Sequence, residues 1–247
     1  MTPKRIWSLW LDGEDHAPPL VRFVFECWRK LNPEWELHVL DKSHLADLLI
    51  SYPKYVLDLP PQALSDILRC CLLRDKGGVW VDASVLAARP LDDWLPDQSR
   101  TGFFAYDKPG PDRPLASWFL AATPSHPLLL TWEREVHRYW AEPRLLQMDP
   151  RKGNPLVDHP TQCVSPQGAT GTGTYPYFWF HYIFGYLLET QSDFRATWQA
   201  TPKLSAIPPH QLQRLLKTRA DGDTTDLSQT YFEAAHVHKL DWRISLP

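Results

Sequence analysis

Apolar positions in the first forty residues follow two different patterns. Residues 5–11 form a nearly unbroken apolar run, which is typical of a strand buried on both faces of a sheet. Residues 20–31 instead place apolar side chains at helical spacing, until an Asn-Pro pair ends the pattern. A second short strand is predicted at residues 36–40. Strand, helix and strand in this order predict a βαβ unit with parallel strands and a right-handed crossover.

The rest of the chain continues to alternate between helical and strand-like segments. Helices are predicted at residues 43–50, 61–75 and 127–140, and strands at residues 79–81, 103–106 and 118–122. Residues 151–175 are polar and rich in Gly and Thr, and no regular structure is predicted there. A mobile loop is the first interpretation of that segment. A phosphate-binding loop is the alternative, although no strand precedes it and its Gly-Thr run at residues 168–174 contains no Lys.

Length and charge limit the classes of protein to consider. With 247 residues and 43% hydrophobic content, the chain can form one large α/β domain or two small ones, and one domain is the simpler expectation. The formal net charge is -3 and there is no long run of Lys or Arg, so a nucleic-acid partner is not expected.

The chain also lacks the sequence pattern of a secreted protein. No charged region followed by an apolar region opens it, and the four cysteines form no C-x-x-C pair, which favours free thiols in a reducing cytoplasm. The most apolar stretch, residues 177–188, is shorter than the roughly 20 residues that a membrane-spanning helix needs. It could still touch a membrane surface, so peripheral association with the inner face stays open.

The most informative stretch begins in the predicted helix at residues 61–75. Asp66 and Arg69 are three residues apart, so they project from one helix face. There they can pair with each other or hold neighbouring hydroxyls of a bound polyol. Taken alone, such a spacing usually gives only a surface ion pair.

A double glycine then leads into a short apolar strand that ends at Asp82. Gly77 and Gly78 allow a sharp reversal, and the strand at residues 79–81 delivers the carboxylate at its carboxyl end. Ligands of open α/β sheets bind at that edge, and a buried carboxylate there needs a partner. A Mg²⁺ or Mn²⁺ ion carrying a diphosphate is a suitable one, because these cations prefer oxygen ligands.

This succession of motifs resembles a known family of enzymes. The run Ser-Asp-x-x-Arg, a helix, then Gly-Gly-Val-Trp-Val-Asp-Ala-Ser at residues 77–84 is similar to the signature of the capsular polysaccharide synthesis glycosyltransferases. Related families with an Asp-x-Asp motif include the yeast initiation mannosyltransferases and the clostridial glucosylating toxins. The resemblance covers most of the chain and is weakest at residues 151–175. It implies the glycosyltransferase A fold, with a Rossmann-like, mostly parallel central sheet flanked by helices.

The resemblance also implies roles for individual residues. Trp10 would stack on the nucleobase, and Asp66 and Arg69 would grip hydroxyls of the donor sugar. Asp82 would meet the ribose or the metal. Position 84, where relatives with the full motif carry a second Asp that ligates the cation, is Ser84 here, a weaker ligand. Residues 1–90 would form the nucleotide-sugar-binding half, and residues 91–247 the acceptor-side half with a C-terminal metal or diphosphate segment.

Candidate groups also lie in the second half of the chain. His236 and His238 would share one face of an extended segment, where either could complete the metal shell, and Lys239 could balance diphosphate charge. Trp118 and His181 lie among apolar or aromatic residues, so core packing and contact with the acceptor are both open interpretations.

Three hypotheses about function follow from these residues. The first is a metal-dependent, retaining transferase that moves a hexose from a nucleotide-diphosphate sugar, with UDP as the expected nucleotide, to an oligosaccharide or glycolipid in bacterial surface polysaccharide synthesis. The second is a non-catalytic subunit that binds a nucleotide sugar and has lost turnover through Ser84. The third is a metal-dependent hydrolase built on Asp82 and the histidines, which would need a tighter cluster of ligands than the sequence indicates.

Overall fold

The computed structural model of the chain describes residues 1–146, 159–169, 173–218 and 226–244. The α-helices are α1 (Pro19–Leu31), α2 (Lys42–Leu48), α3 (Pro61–Lys76), α4 (Leu95–Gln98), α5 (Pro127–Tyr139), α6 (Pro160–Val164), α7 (Pro166–Ala169), α8 (Trp179–Thr190), α9 (Ser192–Ala200), α10 (Gln211–Thr218) and α11 (Ser228–Glu233). The strands are β1 (Arg5–Leu9), β2 (Glu36–Leu40), β3 (Gly78–Val81), β4 (Val85–Ala87), β5 (Phe103–Gly110), β6 (Arg113–Ala122), β7 (Leu145–Leu146), β8 (Thr174–Tyr175), β9 (Leu204–Ser205) and β10 (Val237–Lys239).

A six-stranded sheet in the order β2-β1-β3-β6-β5-β9 forms the centre of the fold. Strand β1 pairs in parallel with both β2 and β3, and β5 pairs in parallel with β9. The pairings of β6 with β3 and with β5 are antiparallel. The predicted α/β class with a mostly parallel central sheet is therefore confirmed, and so is the opening βαβ unit.

Side chains from the two faces of this sheet enter two separate apolar cores. Strand residues alternate between faces, so Trp7 and Trp80 pack on one side with α3, α5 and α8. Ile6 and Val79 pack on the other side, where α1 covers the sheet. All four residues of β3 are buried, as expected for a central strand with helices on both faces. This burial fixes where β3 delivers the residue that follows it.

Two predictions about regular structure need correction. The predicted strands at residues 103–106 and 118–122 belong to a longer hairpin, β5 and β6, whose pairing contains register shifts that tolerate the prolines within it. Residues 159–169 and 173–175, for which no regular structure is predicted, contain α6, α7 and β8. Helix α6 packs on α8 and β8 pairs with β7, so distant contacts stabilise these short elements. The remaining positions of that segment lie outside the described residues.

No helix in the described ranges combines the length and the apolar character that crossing a bilayer requires.

Candidate active site

The turn between α3 and β3 requires both of its glycines. Gly77 and Gly78 adopt φ values of 62° and 103°, which side chains with a Cβ rarely adopt. A Cβ at Gly77 would lie 2.6 Å from Cδ of Pro124, and one at Gly78 would lie 2.6 Å from the carbonyl oxygen of Arg5. The close packing of this turn therefore sets the direction in which β3 leaves α3.

Asp82 follows β3 directly and is held by groups from three parts of the chain. Its Oδ1 accepts hydrogen bonds from Nη2 of Arg69 at 3.0 Å and from Nε1 of Trp80 at 3.1 Å. Its Oδ2 lies 3.7 Å from Nζ of Lys239. Burial raises the pKa of Asp82, but Arg69 and Lys239 more than offset it, and the net pKa lies below its usual value. Asp82 is thus an ionised carboxylate between two cations.

Arg69 contacts most of the polar groups around Asp82. Besides Asp82, its guanidinium pairs with Oδ1 of Asp66 at 2.9 Å and donates to the carbonyl oxygen of Ser117 at 2.8 Å. It also donates to the carbonyl oxygen and the hydroxyl of Ser65, at 3.0 Å and 2.9 Å. Only 3% of the side chain is exposed. Its donors are bonded to the protein, so Arg69 orients both carboxylates more directly than it could grip a sugar.

Asp66 has a different electrostatic environment from Asp82. Burial raises its pKa to about 7, since Arg69 offsets only part of the desolvation and Asp82 adds like-charge repulsion. Asp66 and Arg69 share one face of α3, as their spacing predicts. Asp66 also lines an open cavity, so it changes charge near neutral pH at a position that a ligand can reach.

Lys239 approaches Asp82 from the C-terminal part of the chain. Strand β10 pairs antiparallel with β4, which places Lys239 opposite Val85. Nζ of Lys239 donates to Oγ of Ser84 at 2.6 Å. Burial lowers the pKa of this lysine, and the carboxylate of Asp82 opposes that effect. Both residues of the predicted cation motif, Asp82 and Ser84, therefore face an ammonium group.

These side chains line a cavity of about 310 Å³ at the carboxyl end of β3. The wall opposite Asp66, Arg69 and Asp82 is formed by β6, by the residues just before α8 and by α8 itself. The lining residues are Gln62, Ser65, Asp66, Arg69, Asp82, Pro109, Arg113, Ala116, Ser117, Trp118, Tyr177, Phe178, His181, His210 and Lys239. The cavity thus draws on both predicted halves of the chain, and it brings together six of the sequence-predicted site residues.

Trp118 and His181 lie on the cavity wall as mostly buried side chains. The ring of Trp118 stacks on Tyr106 at 4.9 Å between centroids, so packing and cavity lining coexist. Nδ1 of His181 has no hydrogen-bond partner within the described ranges. Burial, with the nearby Arg113 and Arg69, lowers the pKa of His181 to about 3, so the imidazole is neutral at ordinary pH.

Trp10, His236 and His238 are not among the residues that line the cavity. Trp10 is half-buried and makes an edge-to-face contact with Trp242 at 5.8 Å between ring centroids. His238 is fully buried, with Nε2 2.8 Å from the carbonyl oxygen of Tyr231, and His236 stacks on Trp94 at 4.7 Å.

The predicted grouping of the two histidines with Asp82 is therefore corrected. His238 lies in β10 beside Lys239, and His236 directly precedes that strand. Strand residues alternate between faces, however, and Lys239 takes the side that faces the cavity.

Sequence reasoning missed several residues of the opposite wall, among them Arg113, His210 and Tyr177. The guanidinium of Arg113 lies 3.8 Å from the ring centroid of Phe178, a cation–π contact inside the cavity. Arg113 follows the Pro-rich turn of the β5–β6 hairpin. A hairpin prediction for that turn would have directed attention to it, whereas His210 is brought in by tertiary packing alone.

The donor set around Asp82 does not fit a divalent cation. Both oxygens of Asp82 face Arg69, Trp80 or Lys239, and Oγ of Ser84 accepts from Lys239. No group of three or more His, Cys, Asp or Glu side chains suited to a metal occurs in the described part of the chain. Mg²⁺ and Mn²⁺ need free oxygen ligands, and the predicted set of Asp82, Ser84, His236 and His238 does not provide them.

An α/β domain with a charged cavity at the carboxyl edge of its sheet has the architecture of an enzyme that binds a polar ligand. The family model described as "Capsular polysaccharide synthesis protein" matches residues 1–149 and 147–247, and the chain belongs to that family. The family predicted from the sequence motifs is thereby confirmed.

Individual relatives are named as glycosyltransferases. The O-glycosyltransferase braB of Annulohypoxylon truncatum is 28% identical over 159 residues, which is 56% of this chain and 38% of that protein. The initiation-specific alpha-1,6-mannosyltransferase of Candida albicans is 25% identical over 156 residues, 51% of this chain and 40% of that protein. The matched part thus spans about two fifths of each relative. A solved structure titled "PaToxG Glycosyltransferase" aligns with 96% of this chain and 89% of its own, at 13% identity and a TM-score of 0.45.

Proposed function

We propose that this chain is a retaining glycosyltransferase that moves a hexose from a nucleotide-diphosphate sugar, UDP-linked, to a glycan acceptor in surface polysaccharide synthesis. The family description supports the polysaccharide context, and the names of the relatives support sugar transfer. The scaffold that goes with this proposal is the glycosyltransferase A fold. The proposed location is the cytoplasmic side of the membrane, in keeping with four cysteines that form no disulfide.

The observation that carries the proposal is the charged wall of the cavity. Lys239, Arg69 and Arg113 bring positive charge to the carboxyl end of the sheet, where an anionic diphosphate is stabilised. Asp66 adds a carboxylate within the same cavity that can accept hydrogen bonds from sugar hydroxyls. Cations beside a carboxylate suit a ligand that carries both phosphate and hydroxyl groups.

The same geometry favours attack by the acceptor from the side of the leaving group. In a double displacement a carboxylate would have to attack the anomeric carbon, and Asp82 has both oxygens beside cationic or N–H donors. Direct attack by the acceptor hydroxyl needs no such nucleophile, and the leaving phosphate can take the acceptor proton. Trp118 and His181, across the cavity, are assigned to the acceptor side. No step is assigned to Mg²⁺ or Mn²⁺, because the residues around Asp82 do not fit either ion.

A panel of nucleotide sugars tests this proposal. The purified chain is incubated with UDP- and GDP-linked hexoses and with oligosaccharide acceptors, and both transferred sugar and released nucleotide are measured. The wild type is expected to turn over at least one donor, and Asp82→Ala to lose about 100-fold or more in rate. Asp75→Ala, at the exposed end of α3, is the matched control.

The outcomes separate the competing hypotheses. Donor binding without transfer or hydrolysis would identify the chain as a non-catalytic binding subunit. Full activity of Asp82→Ala would refute the assignment of the site. Hydrolysis of the donor without transfer to any acceptor would favour a hydrolase.

A further inference from the structure

The ammonium group of Lys239 lies close to both side chains of the predicted cation motif. Nζ is 2.6 Å from Oγ of Ser84 and 3.7 Å from Oδ2 of Asp82. These two residues are the positions of the predicted cation motif. The amine also lines the cavity, so it faces any ligand that approaches Asp82. A positive charge is therefore already held between the two side chains from which metal ligation is expected.

Hydrogen bonds and an ion pair leave little capacity for a second cation at this point. Oδ1 of Asp82 accepts from Arg69 and Trp80, and Oδ2 faces Lys239. The hydroxyl of Ser84 accepts from the same lysine. A metal would have to displace these donors and would add a second positive charge beside Lys239, only 21% of whose side chain is exposed.

The charges on the wall lead to the same conclusion. Arg69 and Lys239 lie 3.0 Å and 3.7 Å from Asp82, and Arg69 also lies 2.9 Å from Asp66. Each of these carboxylates thus already has a basic partner before any ligand binds. A doubly charged ion would be repelled by both basic groups, whereas a diphosphate would be attracted by them.

We propose that Lys239 takes the place of the divalent cation, so that the chain binds a nucleoside diphosphate and stabilises its departure without metal. This inference rests on the proposed transferase function. In the reaction the bond between the anomeric carbon and the phosphate oxygen breaks, and its electron pair stays on the diphosphate. The acceptor oxygen forms the new bond to that carbon, and its proton goes to the leaving phosphate. Lys239 keeps its own proton and donates a hydrogen bond to the departing oxygen.

Binding of UDP and GDP to the full chain, measured by titration calorimetry, tests the proposal. We expect at least one of them to bind in EDTA within about threefold of its affinity in Mg²⁺ or Mn²⁺, since an amine already supplies the positive charge. Lys239→Met should weaken that diphosphate about 10- to 100-fold in EDTA, as expected for a lost charge-assisted hydrogen bond. The affinity for the corresponding nucleoside, which has no phosphate, should stay unchanged and reports that the fold is intact.

Two further variants make the test specific. Lys217→Met removes a lysine that pairs with Asp241 outside the cavity, and it should bind like the wild type. The double variant Ser84→Asp/Lys239→Ala builds two carboxylates without the amine. It should bind the diphosphate about tenfold or more tightly with Mn²⁺ than with EDTA. Equal affinity of this variant in both buffers would count against the proposal.

The failure of this inference is distinguishable from failure of the proposed function. If the wild type binds nucleoside diphosphates only with Mg²⁺ or Mn²⁺, and Lys239→Met binds as well as the wild type, the lysine does not replace the cation, although the transferase proposal stands. If neither UDP nor GDP binds in any buffer, the proposed function with a UDP- or GDP-linked donor is refuted and this inference with it.

Discussion

Nη2 of Arg69 lies 3.0 Å from Oδ1 of Asp82, and this ion pair joins helix α3 to the end of strand β3. The guanidinium is almost fully buried, while 28% of the Asp82 side chain remains exposed. The contact therefore presents the carboxylate to the cavity in one fixed orientation. Because the same guanidinium also holds Asp66, both carboxylates of the wall depend on one side chain.

Substitution Arg69→Lys should impair both stability and activity. An ammonium cannot reproduce the planar arrangement of donors that reaches Asp66, Asp82 and Ser117 together. We expect a loss of about 2–4 kcal/mol in the free energy of unfolding. Transfer should show a fall of about tenfold or more in kcat. Denaturant unfolding and initial rates at varied donor concentration measure the two effects.

The control for this substitution is Arg29→Lys. Arg29 makes a two-pronged ion pair with Glu14, but on the surface, where 47% of the arginine side chain is exposed. Its replacement should change the free energy of unfolding by less than about 1 kcal/mol. Equal losses in the two variants would contradict the role given to the buried arginine.

Asp66 should make stability depend on pH between about 4 and 7. Burial holds its folded pKa at about 7, above the unfolded value of 3.8. Because the folded protein keeps the proton where the unfolded chain releases it, the free energy of unfolding falls as pH rises through this range. Asp66→Asn removes that contribution, so relative to wild type the variant should gain about 1–4 kcal/mol from pH 4 to pH 8.

Comparing the free energy of unfolding of wild type and Asp66→Asn separates the contribution of Asp66 from those of other titrating groups. His181 and His210 have pKa values lowered to about 3 and about 4, so they destabilise the fold below the unfolded histidine pKa in both proteins alike. Denaturant titrations at several pH values give the difference curve. A flat difference between wild type and Asp66→Asn would contradict the raised pKa.

Local patterns in the sequence predict much of this fold, because their causes are local. The strand at residues 36–40 has its predicted bounds, and α1 and α3 begin or end within one residue of expectation. The pairing of Asp66 with Arg69 follows from helix geometry alone. Asp82 also lies where the strand after the double glycine was expected to deliver it.

The C-terminal half of the site depends instead on contacts between distant parts of the chain. Lys239 reaches Asp82 only because β10 pairs with β4. Sequence reasoning grouped Lys239 with His236 and His238. Alternation along β10 instead places Lys239 at the cavity and His238 against the carbonyl oxygen of Tyr231, while His236, which precedes the strand, stacks on Trp94. Which of these faces meets the cavity is decided by the pairing of β10, which no local pattern in the sequence encodes.

Gly77→Ala should be much more destabilising than Gly173→Ala. Both glycines have φ of 62°, a value that residues with a Cβ rarely adopt. At Gly77 the Cβ would also lie 2.6 Å from Pro124, whereas at Gly173 it meets no described atom within 4 Å. The collision should cost roughly 1–3 kcal/mol more, and thermal or denaturant unfolding measures the difference. Equal losses would mean that the turn before β3 is not closely packed.

His181 should act as a neutral hydrogen-bonding group and not as a titrating base. Its Nδ1 lacks a partner in the described ranges, and its side chain lines the cavity. Its pKa of about 3 keeps the ring neutral above pH 5. His181→Phe should therefore lower kcat/KM for transfer about tenfold, the value of one hydrogen bond, by an equal factor at every pH from 6 to 9. His181→Gln, which keeps polar atoms, should recover part of that loss. A variant whose rate deficit changes with pH would instead identify His181 as a proton acceptor in the reaction.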